Sequence, residues 1–426
     1  MRGKRRLPLR GADLVLVGLA SRYAGGINNA ILVAETEGAP SAERMRAALE
    51  RLLDQSPWPA ARLRRSWPWG RLHWAAGPRA GLKAPPIREV GLAPGQSPQA
   101  LLEAEMGDRI DPWTEPPLRF SIVSSPDSDR STLAMTWSRP LMDPRGAEFL
   151  LTRLARLDEE PGWRLPEWSP PKEPLSVAEF ARVGRSARDR MKTLAPEPPV
   201  SPGRQVASPG RARFLRQAFR EAGEAGRTTR EVSFRLAVAG KVMADLFRRR
   251  GLPEVPFLIP VSVDLRRRGE QDPLFGNCLA FHFARFSPQA TADPAQLAGA
   301  LRKEMAYALR DGLVEANRAG MEFLRYRPLR GLLREMVWAR DGDAFSFNCA
   351  DTGPFAPSLE RLFGAPLVMG YHLPEVLPRP GVGVFFSRFG DLPVVAVGWV
   401  EGVLDESEAR RILDGIREAM GWLPLA

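Results

Sequence analysis

The chain has 426 residues, 44% of them hydrophobic and 26% charged, the composition of a soluble globular protein with a large core and two or three domains. Lys and Arg number 61 against 50 Asp and Glu, and this excess of +11 favours anionic partners: phosphates, coenzyme A, acidic carrier proteins or, less specifically, nucleic acid. Three histidines and two cysteines in the whole chain argue against a zinc site and against a disulfide framework.

The N-terminus, MRGKRRLPLRGADLVLVGLASRYAGG, imitates a signal peptide, with a basic start and a short apolar run from Leu14 to Ala20. Asp13 interrupts the approach to that run and no small-x-small cleavage site follows, so the segment reads as a basic tail leading into a first strand or helix. No apolar stretch is long enough to span a membrane, and cytoplasm is the expected location. Residues 41–55 predict an amphipathic helix capped by Ser41, with Met45, Ala48, Leu49, Leu52 and Leu53 on one face. RSTLAMTWS alternates as a strand does, Leu133, Met135 and Trp137 against Thr132, Ala134 and Thr136, with Arg139 continuing the apolar side. Asp143 is the expected cap of the next helix, whose buried stripe is Leu150, Leu151, Leu154 and Leu157.

Prolines then cluster between 161 and 209, around one helical piece, SVAEFARVGRSARDRMKTL. This proline-rich connection, 161–210, predicts a division into an N-terminal lobe, 1–160, and a C-terminal lobe, 211–426. The second half opens on a helix that is apolar on most sides from Val232 to Phe247, with Thr228 and Glu231 spaced as a capping box. The strand FLIPVSVDL, the turn-rich RRRGEQDPLFGN and the alternating CLAFHFARF follow. Asp293 and Pro294 begin a further helix. GVGVFFSRF and PVVAVGWV read as two strands across a Gly390–Asp391 turn, and Asp405 and Glu408 box the last helix. Strands alternating with helices in both halves predict an α/β or α+β protein of two domains, without repeats or low-complexity tracts.

Five segments, in order, resemble one superfamily, the chloramphenicol-acetyltransferase-like fold of condensation domains, wax ester synthases and related thioester-dependent acyltransferases. They are GAPSAERMRAALERLLDQSPWPAARLRR, DPWTEPPLRFSIV, TWSRPLMDPRGAEFLL, IPVSVDLRRRGEQDPLFGN and FSFNCADTGPF, and together they span essentially the whole chain. The resemblance implies two similar lobes in a V with a channel between them. An acyl thioester of coenzyme A or of a phosphopantetheine-bearing carrier protein is the implied co-substrate, with no resident cofactor, and an alcohol or amine is the implied acceptor. A partner enzyme is a further implied partner. It also implies that Asp143 is structural and pairs with Arg266 of the second lobe, and that Trp137, Ser138, Asn277, Asn348 and Gly353 border the channel, Trp137 as a plug.

The sequence departs from the superfamily at the centre of its motif, His-x-x-x-Asp. Arg139 stands in place of the His, and Pro144 replaces the usual Gly after Asp143. Arginine titrates above about pH 12 and accepts no proton from a nucleophile, so it is not a general base. Three readings of Arg139 stay open: an ion pair with Asp143 that stabilises an inactive loop, a ligand for a phosphate or carboxylate, or an electrophile on a developing oxyanion. His282, with small neighbours Ala280 and Ala284 on its side of the strand, is the preferred substitute base; His372 is placed in a loop and His73 on the surface. Cys278 and Cys349 read as reduced, buried thiols, because a nucleophilic Cys needs a base beside it. The arginine runs 248–250 and 266–268 read as solvated ends or anion contacts, and no nucleic-acid motif is present. Two functions follow: an acyltransferase in lipid or natural-product biosynthesis that lacks the usual His, or an inactive relative that binds a partner or acyl ligand through the same cleft.

Overall fold

A computed structural model of the chain describes residues 5–22, 29–68, 70–166, 176, 178–179, 181–185, 198–206, 210–222, 229, 231–326, 343–373 and 375–425. In chain order the strands are β1 (Arg5–Pro8), β2 (Asn29–Glu37), β3 (Arg62–Arg65), β4 (Leu72–Ala76), β5 (Ile87–Gly91), β6 (Leu118–Ser124), β7 (Arg130–Ser138), β8 (Ala212–Arg220), β9 (Phe257–Asp264), β10 (Leu279–Phe286), β11 (Asn348–Pro354), β12 (Arg361–Leu362), β13 (Ala365–Leu373), β14 (Val382–Phe389), β15 (Leu392–Val400) and β16 (Leu423–Pro424). They form a six-stranded sheet of order β12-β13-β2-β7-β6-β5 and a five-stranded sheet of order β11-β14-β15-β8-β16. A β9–β10 ribbon and a small β1-β4-β3 sheet complete the strands. Mixed α/β architecture and two lobes agree with the expected fold class.

The expected boundary at 161–210 does not divide the sheets. β13 returns from the second half of the sequence and pairs antiparallel with β2, Tyr371 opposite Val33, so the first lobe is completed by a strand of the second. A period-2 pattern shows that a segment is a strand but not which edge it covers, and β13 covers β2's otherwise open edge. Most of the connection itself lies outside the described residues.

The helices follow their sequence signals closely. Ser41 Oγ accepts from Arg44 N (3.2 Å) at the start of helix Ala42–Gln55, whose residues Met45, Ala48, Leu49, Leu52 and Leu53 are buried. Helix Pro144–Glu159 buries Leu150, Leu151, Leu154 and Leu157, each worth about 1.5–3 kcal/mol once removed from water. Asp293 caps Pro294–Arg310, and Asp405 with Glu408 forms a complete capping box on Glu406–Met420. Helix Val232–Arg249 is largely buried, but its N-cap is Glu231, which makes no cap hydrogen bond and instead pairs with Arg302. Thr228, the other half of that expected box, lies outside the described residues. β7 is buried on both faces, because the sheet is covered on both sides. Two large apolar cores and one small cluster result, and the first core joins Ile31, Val33 and Ala134 of the six-stranded sheet to residues of the second half. No helix among the described residues is long and apolar enough to cross a membrane.

Candidate functional site

The motif segment lies where β7 gives way to a short 3-10 turn, Arg139–Leu141, and then to helix Pro144–Glu159. Asp143 ends the turn with extended backbone and caps the helix through Gly146 N (2.7 Å). Its Oδ2 accepts from Cys278 N (2.8 Å), and both oxygens accept from Arg266 Nη2 (3.2 and 3.0 Å). Arg266 also donates to the Pro273 carbonyl (2.8 Å) and Asp264 (3.1 Å). The two side chains are 4% and 2% exposed. Burial pulls the Arg266 pKa down, but the charge and hydrogen bonds of Asp143, with Asp264 behind, lift it above its ordinary value. Gly146 permits this packing, since a Cβ there would stand 2.4 Å from the Leu274 carbonyl oxygen.

The Arg139 backbone is fixed from behind. Asn277 Nδ2 donates to the Arg139 carbonyl (2.9 Å) and to Asp13 Oδ1 (2.7 Å), and Asn277 N donates to Asp13 Oδ1 (2.8 Å). Asp13, in the first turn of helix Gly11–Arg22, is buried, and burial raises its carboxyl from 3.8 to about 6 against the hydrogen bonds of Asn277 and Arg10. Sequence reading took Asp13 only as a break in an apolar run. Its signal was that a charge so placed needs partners.

A cavity of about 300 Å³ opens at the junction of the lobes. Arg139, Asp143 and Arg145 line it from the motif loop, Phe281 and Phe283 from β10, Asn348 to Thr352 from β11, and Glu375 from the segment after β13. Arg139 does not pair with Asp143, whose acceptors Arg266, Gly146 and Cys278 already occupy. Its Nε donates instead to Glu375 Oε2 (3.1 Å), both side chains being 13–14% exposed. Burial raises the Glu375 pKa, and the Arg139 charge and hydrogen bond oppose that rise. Glu375 was missed in the sequence because it belongs to no motif and reaches the loop only through the β13–β2 pairing.

The structure corrects several expected positions. His282 is buried on the face of β10 away from the cavity, 3.5 Å from Glu304, while Phe281 and Phe283 face the cavity. The strand alternates as predicted, but the large residues point into the opening and the small ones receive a packed neighbour. His372 is no loop residue; it lies in β13 with Nε2 2.8 Å from Glu148 Oε1, both side chains buried. Glu148 Oε2 accepts from Arg145 Nη1 (2.7 Å), and Arg145 Nη2 reaches the Thr352 carbonyl (2.8 Å), tying the helix after the motif to β11. His73 is buried in β4, and burial lowers its pKa. Trp137 is wholly buried in the N-terminal core with Nε1 on the Met142 carbonyl (2.9 Å), so it plugs nothing. Ser138 and Asn277 are buried behind the loop and Gly353 abuts Arg145, whereas Asn348 does line the opening. Cys278 and Cys349 also line it, but burial pushes both thiols up, which disfavours the thiolate.

No family model matches the sequence, and no curated protein matches it. The likeness is in the fold. The chain superposes on trichothecene 15-O-acetyltransferase from Fusarium sporotrichioides with a TM-score of 0.69 at 12% identity, covering 98% of this chain and 94% of that one. A mutant starter condensation domain of rhizomide synthetase, in complex with C8-CoA and Leu-SNAC, matches at 0.63 and 15% identity over 98% and 94% of the chains. The wax ester synthase/diacylglycerol acyltransferase from Marinobacter aquaeolei matches at 0.60 and 16% identity over 97% and 98%. The chain thus has the two-lobed, chloramphenicol-acetyltransferase-like fold of condensation domains and related acyltransferases.

Proposed function

We infer that the protein binds an acyl thioester, of coenzyme A or of a carrier protein's phosphopantetheine, and passes the acyl group to an alcohol or amine. The cavity carries this reading. It lies at the lobe junction, has aromatic walls at Phe281, Phe283 and Phe385, and has its charged groups gathered at the motif loop. An apolar pocket with a few convergent polar groups suits an acyl chain with one reactive end. The solved neighbours that handle C8-CoA or make wax esters share the fold and support the class of substrate.

A second reading, a binding module without chemistry, is favoured by a specific observation: no histidine lines the cavity among the described residues. Arg139 as the ligand of a substrate phosphate or carboxylate is disfavoured, because Glu375 already neutralises it. Calorimetric titration with octanoyl-CoA, against plain coenzyme A, tests both surviving readings. Saturable binding that depends on the acyl chain is expected. Absence of binding by either ligand would close the coenzyme A route and leave a protein partner as the occupant.

A further inference from the structure

The geometry points to Glu375 as the proton acceptor of the cavity, a catalytic residue, with Arg139 as the fixed charge that positions it. This inference rests on the acyl-transfer reading above and names the group that the altered motif leaves unnamed.

The assignment proceeds through the titratable groups that face the opening. Arg139, Arg145 and Arg266 carry their protons throughout and accept none. Asp143 has both oxygens engaged, by Arg266, Gly146 and Cys278. Asp351 is held by Arg235 (2.9 Å) and by Gly353 N (2.8 Å). Asp264 is bound by the Arg266 backbone and side chain at the solvent end, its side chain 46% exposed. The two thiols are held protonated. Of these carboxylates only Asp264 also keeps an oxygen, Oδ2, without a hydrogen-bond partner among the described residues, and Glu375 differs from it by being 14% rather than 46% exposed. Its Oε2 takes one hydrogen bond, from Arg139 Nε, and its Oε1 has no hydrogen-bond partner among the described residues. Asn348 Nδ2 fixes only its backbone carbonyl, at 3.4 Å.

The pair is also anchored on both sides. Asn277 and Asp13 hold the Arg139 backbone, and β13 delivers Glu375 two residues past its end. A carboxylate in an apolar cavity gains basicity, while an adjacent guanidinium favours its ionised form. Those are the two requirements for a general base, and one arginine at the motif position supplies the second.

The step balances without another reagent. The acceptor oxygen or nitrogen attacks the thioester carbonyl carbon and its proton passes to Glu375 Oε1. The carbon–sulfur bond then breaks, and the proton moves from Glu375 to the departing sulfur. The products are an ester or amide and a free thiol, with the carboxylate restored.

Octanoyl-CoA binding by calorimetry and thiol release across a panel of primary alcohols and amines test this together. The wild type is expected to bind and to release thiol with at least one acceptor. Glu375→Gln should bind octanoyl-CoA as before and lose about 10²–10⁴-fold in turnover, and Glu375→Asp should recover part of it. Arg139→Met should shift the acid limb of the pH–rate profile to higher pH, because Glu375 without its guanidinium holds its proton more tightly. Turnover unchanged in Glu375→Gln would overturn the assignment, as would a wild type that binds the thioester but releases no thiol with any acceptor. A wild type that does not bind octanoyl-CoA closes the coenzyme A route on which this assignment is tested and so defeats that form of the acyl-transfer reading, a different result from either.

Discussion

Two ion pairs border the same cavity and are built oppositely. In Asp143–Arg266 both side chains are almost wholly buried, Asp143 meets four donor contacts, and Arg266 also reaches a backbone carbonyl. In Arg139–Glu375 a single hydrogen bond joins the partners, and Arg139 Nη1 is buried without a partner. Arg266 Nε is likewise buried without a partner, so the contrast lies in the carboxylates: both Asp143 oxygens are engaged, and the first pair joins the lobes, Asp143 from the motif loop and Arg266 from the turn after β9. In the second pair only Glu375 Oε2 is engaged, and the carboxylate faces the opening. Saturation marks a structural role, because a fully engaged charge has no capacity left for a substrate.

Breaking the first pair should cost most. Asp143→Ala leaves the buried Arg266 guanidinium uncompensated and removes a helix cap, so denaturant unfolding should show a loss of about 3–5 kcal/mol. A loss below about 1 kcal/mol would make the two pairs equivalent and end the contrast.

Asp13 sharpens the comparison from behind the loop. Its folded pKa of about 6 lies above the ordinary 3.8, so the folded state holds this proton more tightly than the unfolded chain does. Its contribution to stability is therefore greatest at acid pH and falls as pH rises from about 4 to about 6, by roughly 3 kcal/mol in all. The stability difference between the wild type and Asp13→Asn, followed by unfolding across that range, should change in that direction. A flat difference would show that Asp13 is charged without cost.

Arg139→Met should cost about 1–3 kcal/mol at neutral pH, where Glu375 loses its partner. That cost should fade toward acid pH as Glu375 takes up a proton in both proteins. A cost that persists undiminished at acid pH would assign Arg139 a packing role instead. The smallest effect on ligand binding is expected at His282. His282→Ala removes a buried side chain and its contact to a partly exposed carboxylate on the far face of β10, so it should cost stability through the space left behind while octanoyl-CoA binding stays within about twofold. A large loss of ligand binding would return His282 to the candidate site.

Much of the fold was legible because its signals are local. Ser41, Asp143, Asp293 and Asp405 announced helix starts through hydrogen bonds that span three residues. The strand alternation of 132–137 and 279–284 marked the strand that leads into the motif loop and the strand that walls the cavity. Asp143–Arg266 was legible only through the resemblance, since no local pattern links positions so far apart. The sidedness of β10 was misread because alternation separates two faces without saying which one the tertiary structure leaves open.

By itself, then, the sequence determined the helices with clear caps, the strands with clear alternation, the capped motif loop and the loss of a base at position 139, each a consequence of side-chain type and short-range spacing. Tertiary structure alone decided that β13 crosses into the first sheet, that Arg139 meets Glu375 rather than Asp143, and that His282 faces away while Phe281 and Phe283 face in. Those outcomes depend on which buried charge finds a partner and which strand edge is covered, and both are settled by contacts between residues hundreds of positions apart.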